Sequence, residues 1–256
     1  MNLLFLSFIL GARAFTFDRP PLSSLSSPRT RTARIFDSTT ALDNDVSRVE
    51  AIAEAKGRIE DSLAGTDKGR SASDSEREEI KSLLRELEDL CTLSEPARDG
   101  RMNGSWIVLY TDCPPPSNGQ LGPFKGIAKQ VIDVPGGKYR NELYVGGSGA
   151  DGDEDAWLTA VLDASWSEWD GKFLDSGTGD VSASDGVDYG ATTWKVDFET
   201  LQISAFGIPL FTQKFKAGTA RTWKMTYLDD ETRIVRAGKT GRPDDDVIFY
   251  MIRGST

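Results

Sequence analysis

Two hydrophobic periods divide the chain. From residue 46 onward, Val46, Val49, Ala53, Lys56, Ile59 and Leu63 recur at helical spacing, and the polar run Gly65 to Arg70 ends that helix. Ser73 with Glu76 three residues later forms a capping box. It predicts a second helix with Ile80, Leu83, Leu84, Leu87 and Leu90 on one face. After Glu95-Pro96 the period becomes two. Segments 106–111, 127–133, 141–145, 156–169, 172–182, 192–198, 201–205, 222–228, 233–237 and 247–252 read as strands, punctuated by Gly, Pro, Asp and Asn. Many short strands without intervening helices predict a mostly β, antiparallel barrel or sandwich behind two N-terminal α-helices. Residues 146–155 read as a mobile, solvated Gly/Asp loop.

The segment before the helices has another composition. Residues 3–10 form an apolar run too short to span a bilayer, followed by Ala12-Arg13-Ala14, a small-x-small cleavage pattern. Residues 15–40 are Ser/Thr/Pro-rich, with Arg19, Arg29, Arg31 and Arg34 against only Asp18 and Asp37. That order predicts a signal peptide over 1–14 and an organelle transit peptide over 15–44, then a helical segment over 45–94 and a barrel over 95–256. The Ala14-Phe15 junction resembles the cleavage motif of proteins imported into the complex plastids of secondary-endosymbiotic algae. No later segment reaches membrane-spanning length, which predicts a soluble or peripheral mature protein.

Charge and chemistry narrow the function. The 256 residues carry 40 acids against 30 bases, a formal charge of −10, which disfavours contact with nucleic-acid phosphates. Histidine is absent and the only cysteines are Cys91 and Cys113, so neither a zinc site nor a His-dependent catalytic centre is expected. Gly147-x-Gly149-x-x-Gly152 imitates a dinucleotide fingerprint but runs into Asp153-Glu154-Asp155 instead of a helix. Asp151, Asp153 and Asp155 alternate like a calcium loop, yet Ala156 and Leu162 stand where Gly and Glu belong. No catalytic residue, metal or cofactor is assigned. An enzyme built from this chain would have to use carboxylates such as Asp133, Asp163 or Asp197, which nothing in the sequence distinguishes from surface acids.

Alternation within strands nominates an interior. Trp106, Val108 and Tyr110 share a face, as do Trp194, Val196 and Phe198, and Trp223, Met225 and Tyr227. These nine residues are the candidate ligand lining; alternation alone leaves open whether they surround a cavity or fill a core. Gly104-Ser105-Trp106 opens the first strand and resembles the lipocalin signature, in which the Trp plugs one barrel end under an Arg from a late strand. In segment 233–237, Ile234 and Arg236 share one face and Arg233 and Val235 the other; Arg236 is taken as the inward residue that closes the barrel with Gly104 and Trp106.

Ordered blocks then point to one family. Asn103-Gly104-Ser105-Trp106-Ile107-Val108-Leu109-Tyr110-Thr111 resembles the NGxWxLLYTS block of the plastid lipid-associated protein (PAP/fibrillin) family. Gly65-Thr66-Asp67-Lys68-Gly69 ahead of residues 80–90 is similar to its helical lead-in, and Gln130-Val131-Ile132-Asp133 with Asn141 to its next block. Thr226-Tyr227-Leu228-Asp229 through Arg233-Ile234-Val235-Arg236 resembles its C-terminal TYLDxxxRIxR block. The resemblance spans about 50–252. It implies a lipocalin-like barrel in plastids that binds or organises apolar lipids, prenylquinones and carotenoids, in peripheral contact with thylakoids or plastoglobules, without catalysis. A structural or assembly role at thylakoids, or a lipid- or pigment-modifying enzyme, are the alternatives. Cys113-Pro114-Pro115-Pro116, the 146–155 loop and residues 239–246 depart from the family pattern.

Overall fold

The computed structural model describes residues 38–149, 151–174, 186–242 and 246–255. The leader, with Ala14 and Phe15, and most of segment 172–182 lie outside them. Among the described residues, two helices, α1 (Ser38–Leu63) and α2 (Asp74–Asp89), precede ten strands. These are β1 (Gly104–Thr111), β2 (Gln120–Leu121), β3 (Phe124–Asp133), β4 (Lys138–Val145), β5 (Leu158–Glu168), β6 (Thr193–Ala205), β7 (Ile208–Lys214), β8 (Ala220–Leu228), β9 (Thr232–Gly238) and β10 (Val247–Arg253). The antiparallel order β1-β10-β9-β8-β6-β5-β4-β3 returns from β3 to β1, so eight strands close a barrel. β2 pairs only with the start of β3, and β7 only with the second half of β6.

The two segments expected at 192–198 and 201–205 are one strand, β6, bent where its pairing with β5 shifts at Glu199. β7 escaped the sequence reading because Pro209 argues against a strand; an edge position tolerates it.

The capping box forms as expected. Glu76 N donates to Ser73 Oγ at 3.3 Å, and Ser73 N donates to a Glu76 carboxylate oxygen at 2.7 Å. Ile80, Leu83, Leu84 and Leu87 of α2 are buried together with Ala55 and Ile59 of α1. They pack on the outer barrel face, against Tyr110, Tyr227, Ile234, Ile248 and Tyr250. The apolar stripe of α1 therefore runs through Ile52, Ala55, Ile59 and Leu63, while Val46 and Val49, expected to lie on it, are exposed. A helical period admits both rows, and the face presented by β10 selects the second. Lys56 instead pairs with Asp229 at 2.7 Å.

The barrel interior holds a second cluster: Met102, Trp106, Val108, Ile132, Tyr139, Trp194, Val196, Trp223, Met225, Val235, Phe249 and Met251, among others. Two β-bulges reconcile the two faces. Register shifts between Val108 and Tyr110 in β1, and between Met225 and Tyr227 in β8. Each bulge turns the next tyrosine outward, under the helices.

The 146–155 loop corrects another expectation. It folds back over β3, where the buried Lys129 ammonium lies 2.8 Å from Asp153, 3.6 Å from Asp151 and 3.9 Å from Glu142. Asp151, itself buried, also accepts from Ser255 N at 2.9 Å. The acidic composition reads as solvated only until the one buried lysine beneath it is counted.

Buried tyrosines set an alkaline limit. Burial pushes the phenols of Tyr110 and Tyr250 up to about 12, and those of Tyr139, Tyr144 and Tyr227 upward as well. An unfolded chain releases these protons near the ordinary value of 10, whereas the folded chain holds them. Their contribution is therefore complete below pH 10 and is lost as pH climbs toward 12. Urea midpoints should stay level up to about pH 9 and fall steeply above pH 10. Phenolate absorbance should rise together with unfolding rather than before it.

Candidate functional site: the barrel interior and its plugged end

The residues proposed as lining divide between the two faces. Trp106, Val108, Trp194, Val196, Trp223 and Met225 are inside, and Phe198 packs partly buried against them. Tyr110 and Tyr227 are outside, under the helices, because the bulges interrupt the alternation that nominated them.

One end of the barrel is plugged. Trp106 is fully buried and donates from Nε1 to Met102 O at 3.0 Å, while Trp194 Nε1 donates to Ala97 O at 3.0 Å. Two short 3-10 turns, Pro96–Arg98 and Gly100–Met102, thereby seal the floor. The arginine expected over the indole was Arg236. The structure corrects this: Arg236 points outward and binds Glu88 of α2 through two hydrogen bonds, at 2.9 and 2.6 Å. Its face also carries Ile234, and that face belongs to the helices. The inward residue is Arg233, 1% exposed, whose guanidinium lies 5.1 Å from the Trp106 ring centre.

A second cation was missed. Arg253, the last residue of β10, sits 3.9 Å from the same ring centre. It donates to Asn103 O at 2.7 Å, Arg101 O at 2.8 Å and Asp230 O at 3.1 Å, tying the floor to the final strand. Gly104 fits this corner because its φ is +114° and a Cβ there would stand 3.2 Å from Arg253 Nη1. No local pattern marks Arg253; only the register Trp106 to Arg253 brings them together.

The interior is aromatic yet contains polar groups. Trp223 packs at 5.0 Å from Tyr139 and 5.3 Å from Phe249, and Trp166 stacks on Trp194 at 4.0 Å. Arg233 donates to Gln130 Oε1 and, at 3.2 Å, to Met251 Sδ, with no carboxylate hydrogen-bonded to it among the described residues. Burial pulls its guanidinium down to about 9, and the charge of Arg253 adds to the effect. Four buried N–H donors have no partner among the described residues: Arg233 Nε, Gln130 Nε2, Trp166 Nε1 and Trp223 Nε1. A buried donor without an acceptor costs about 1–3 kcal/mol. An oxygen acceptor brought among them would recover part of that.

Outside the barrel, a cleft of about 300 Å³ opens between α1, the connection after α2 and the end of β8. Val49, Ile52, Leu90, Leu93 and Tyr227 line it, with Arg48 and Arg101 among its polar members. The carboxylates weighed for catalysis all have local partners. Asp163 accepts from Thr200, Asp197 pairs with Lys195, and Asp133 accepts from Gly136 N.

A closed antiparallel barrel with an indole plug under arginine is a lipocalin-like architecture. Residues 53–147 match the PAP_fibrillin family model. Two Arabidopsis thaliana proteins are similar. "Probable plastid-lipid-associated protein 2, chloroplastic" is 36% identical over 83 residues, 32% of this chain and 27% of that protein. "Probable plastid-lipid-associated protein 1, chloroplastic" is 35% identical over 82 residues, 30% of this chain and 26% of that protein. The match thus spans about a quarter of the length of each relative. Among solved structures, a selenomethionine derivative of a biogenic amine-binding protein covers 60% of this chain and 64% of its own, with 12% identity and a TM-score of 0.29, too distant to bear on the site.

Trp106→Ala should destabilise the barrel by about 3–5 kcal/mol as a large-to-small core change. In urea-unfolding double-mutant cycles, Trp106 should couple to Arg233 and Arg253 by about 0.5–3 kcal/mol. Trp106 and Arg236 should be additive, and the coupling of Arg236 should appear with Glu88 instead.

Proposed function

We propose that this protein is a non-enzymatic plastid lipid-associated protein that holds an apolar lipid carrying oxygen acceptors within its barrel, prenylquinones being the class that fits best. The observation that carries this is the set of four unpartnered N–H donors inside an aromatic-walled interior. An isoprenoid tail suits the Trp, Met and Phe side chains, and ring carbonyl oxygens suit the donors. A carotenoid hydrocarbon suits the walls alone. Trp166 is only partly buried among the packed interior side chains, and its rotation would make room for the ligand. The family-model match over residues 53–147 and the names of the relatives support association with plastid lipids, which this proposal places at thylakoids or plastoglobules.

Tryptophan quenching by a soluble prenylquinone should saturate at micromolar concentration, about −8 kcal/mol. Gln130→Leu and Trp223→Phe should each weaken it about fivefold or more by removing a donor. No saturable quenching with any prenylquinone or carotenoid overturns the reading. A second reading places the ligand in the outer cleft, because about 300 Å³ stands open there. It predicts that Val49→Glu abolishes quenching while the interior variants leave it unchanged.

The leader supplies the address in this proposal. A fluorescent fusion of residues 1–45 should enter the plastid of an alga with a complex plastid. Phe15→Ala should leave cleavage after Ala14 intact but keep the fusion out of the stroma. Secretion of the unmodified fusion, or import indifferent to residue 15, counts against the two-part address.

A further inference from the structure

Inside the barrel, hydrogen-bonding capacity is one-sided. Arg233 Nε, Gln130 Nε2, Trp166 Nε1 and Trp223 Nε1 are donors without an acceptor among the described residues. The side-chain oxygens that share this space are engaged. Gln130 Oε1 accepts from Arg233, Asn141 Oδ1 accepts from the Tyr139 hydroxyl at 2.5 Å, and Thr111 Oγ1 accepts from Cys113 N at 3.0 Å. Register sets Asn141 opposite Gln130 and Thr111 opposite Phe249, so both belong to the inner face. The other buried side-chain groups without partners are the hydroxyls of Ser105 and Tyr110, and both lie outside. Ser105 alternates with the inward Trp106, and Tyr110 sits under the helices.

This asymmetry separates the two redox states of one ring. A quinone presents two carbonyl oxygens, both pure acceptors. Reduction by two electrons and two protons gives a quinol, whose two hydroxyls each bring a hydrogen that needs an acceptor. A quinol oxygen can still take an N–H from the protein. Its own hydrogen then lies among Trp, Met and Phe side chains, and each buried donor left without a partner costs about tenfold in affinity. The apolar tail is the same in both forms, so the aromatic walls add nothing to the difference.

We propose that the barrel interior is selective for redox state, holding the oxidised quinone and releasing it on reduction to the quinol. This rests on the reading of the interior as a quinone site and adds which form is held. Gln130 is the position at which the preference can be reversed, because exchange of its Nε2 for a carboxylate oxygen keeps the shape and turns a donor into an acceptor. Binding and redox state are linked. A tenfold preference for the oxidised form lowers the midpoint potential of the bound two-electron couple by about 30 mV.

The test is anaerobic equilibrium dialysis of the full chain against a decyl-substituted dimethylbenzoquinone, its quinol and the dimethyl ether of that quinol. Cys91 and Cys113 are free thiols, so reducing conditions break no disulfide. The quinone should bind at least about tenfold more tightly than the quinol. The ether, which keeps both acceptors and lacks both donors, should follow the quinone. Potentiometric titration of the bound couple should give a midpoint about 30 mV lower for each tenfold of preference. Gln130→Glu should weaken the quinone, strengthen the quinol and bring the two affinities together, with thermal unfolding as the check on the fold. Trp223→Phe removes a donor without adding an acceptor, so it should weaken both forms and leave their ratio unchanged. Equal affinity for the two forms, or a tighter quinol, overturns the selectivity while leaving the interior ligand in place. An ether that binds like the quinol assigns the preference to shape and overturns it too, and this comparison decides the matter if Gln130→Glu does not fold. A preference that persists in folded Gln130→Glu also overturns the proposal. Binding of neither form removes the interior ligand, and the selectivity with it.

Discussion

A β-strand has two faces, and in this barrel both must be apolar wherever the helices lie. Strict alternation can serve an inside and an outside, but the outer positions beneath α1 and α2 need large side chains placed to meet Ile59, Leu84 and Leu87. The bulges before Tyr110 and Tyr227 meet this demand. Each adds one residue, restores pairing, and hands a tyrosine from the core to the helix interface. The helical layer rests on the two tyrosines that these shifts turn outward.

Buried cations are handled in two ways. Lys129, on the outer surface of β3, is enclosed by Glu142, Asp151 and Asp153, and its proton is held against burial by those carboxylates. Arg233, inside, has a ring face, an amide oxygen and a thioether instead. Ionic enclosure fastens a loop and the C-terminus; the uncompensated guanidinium leaves the interior positive and rich in donors. The first arrangement is structural. The second creates chemical demand inside an otherwise apolar barrel.

The architecture was largely legible in the sequence, and the site less so. The change of period near Glu95-Pro96, the Ser73–Glu76 box and the Gly104-x-Trp106 opening each have a local cause and each appear where expected. Tyr110 and Tyr227 were misplaced because a bulge is a property of two paired strands and has no mark in either alone, and Arg236 because alternation in β9 does not say which of its two faces meets the helices. Arg253 and Lys129 act through partners distant in sequence, Asn103 for one and Asp153 for the other. The 146–155 loop misled for the opposite reason: its composition is that of a solvated segment, and what orders it is a side chain some twenty residues earlier.

The plug also makes the barrel mechanically uneven. At one end, Arg253 joins the final strand to three backbone carbonyls of the floor and its neighbouring turn, and both indoles bond to that floor. At the other, β7 hangs from a single neighbour by a strand containing proline and an irregular register. Amide protons should therefore exchange along a gradient, slowest around Trp106 and fastest toward the hairpin. Thermal breathing and the passage of any guest into the barrel would then share one route, with the welded floor acting as the fixed point against which the rest of the molecule opens.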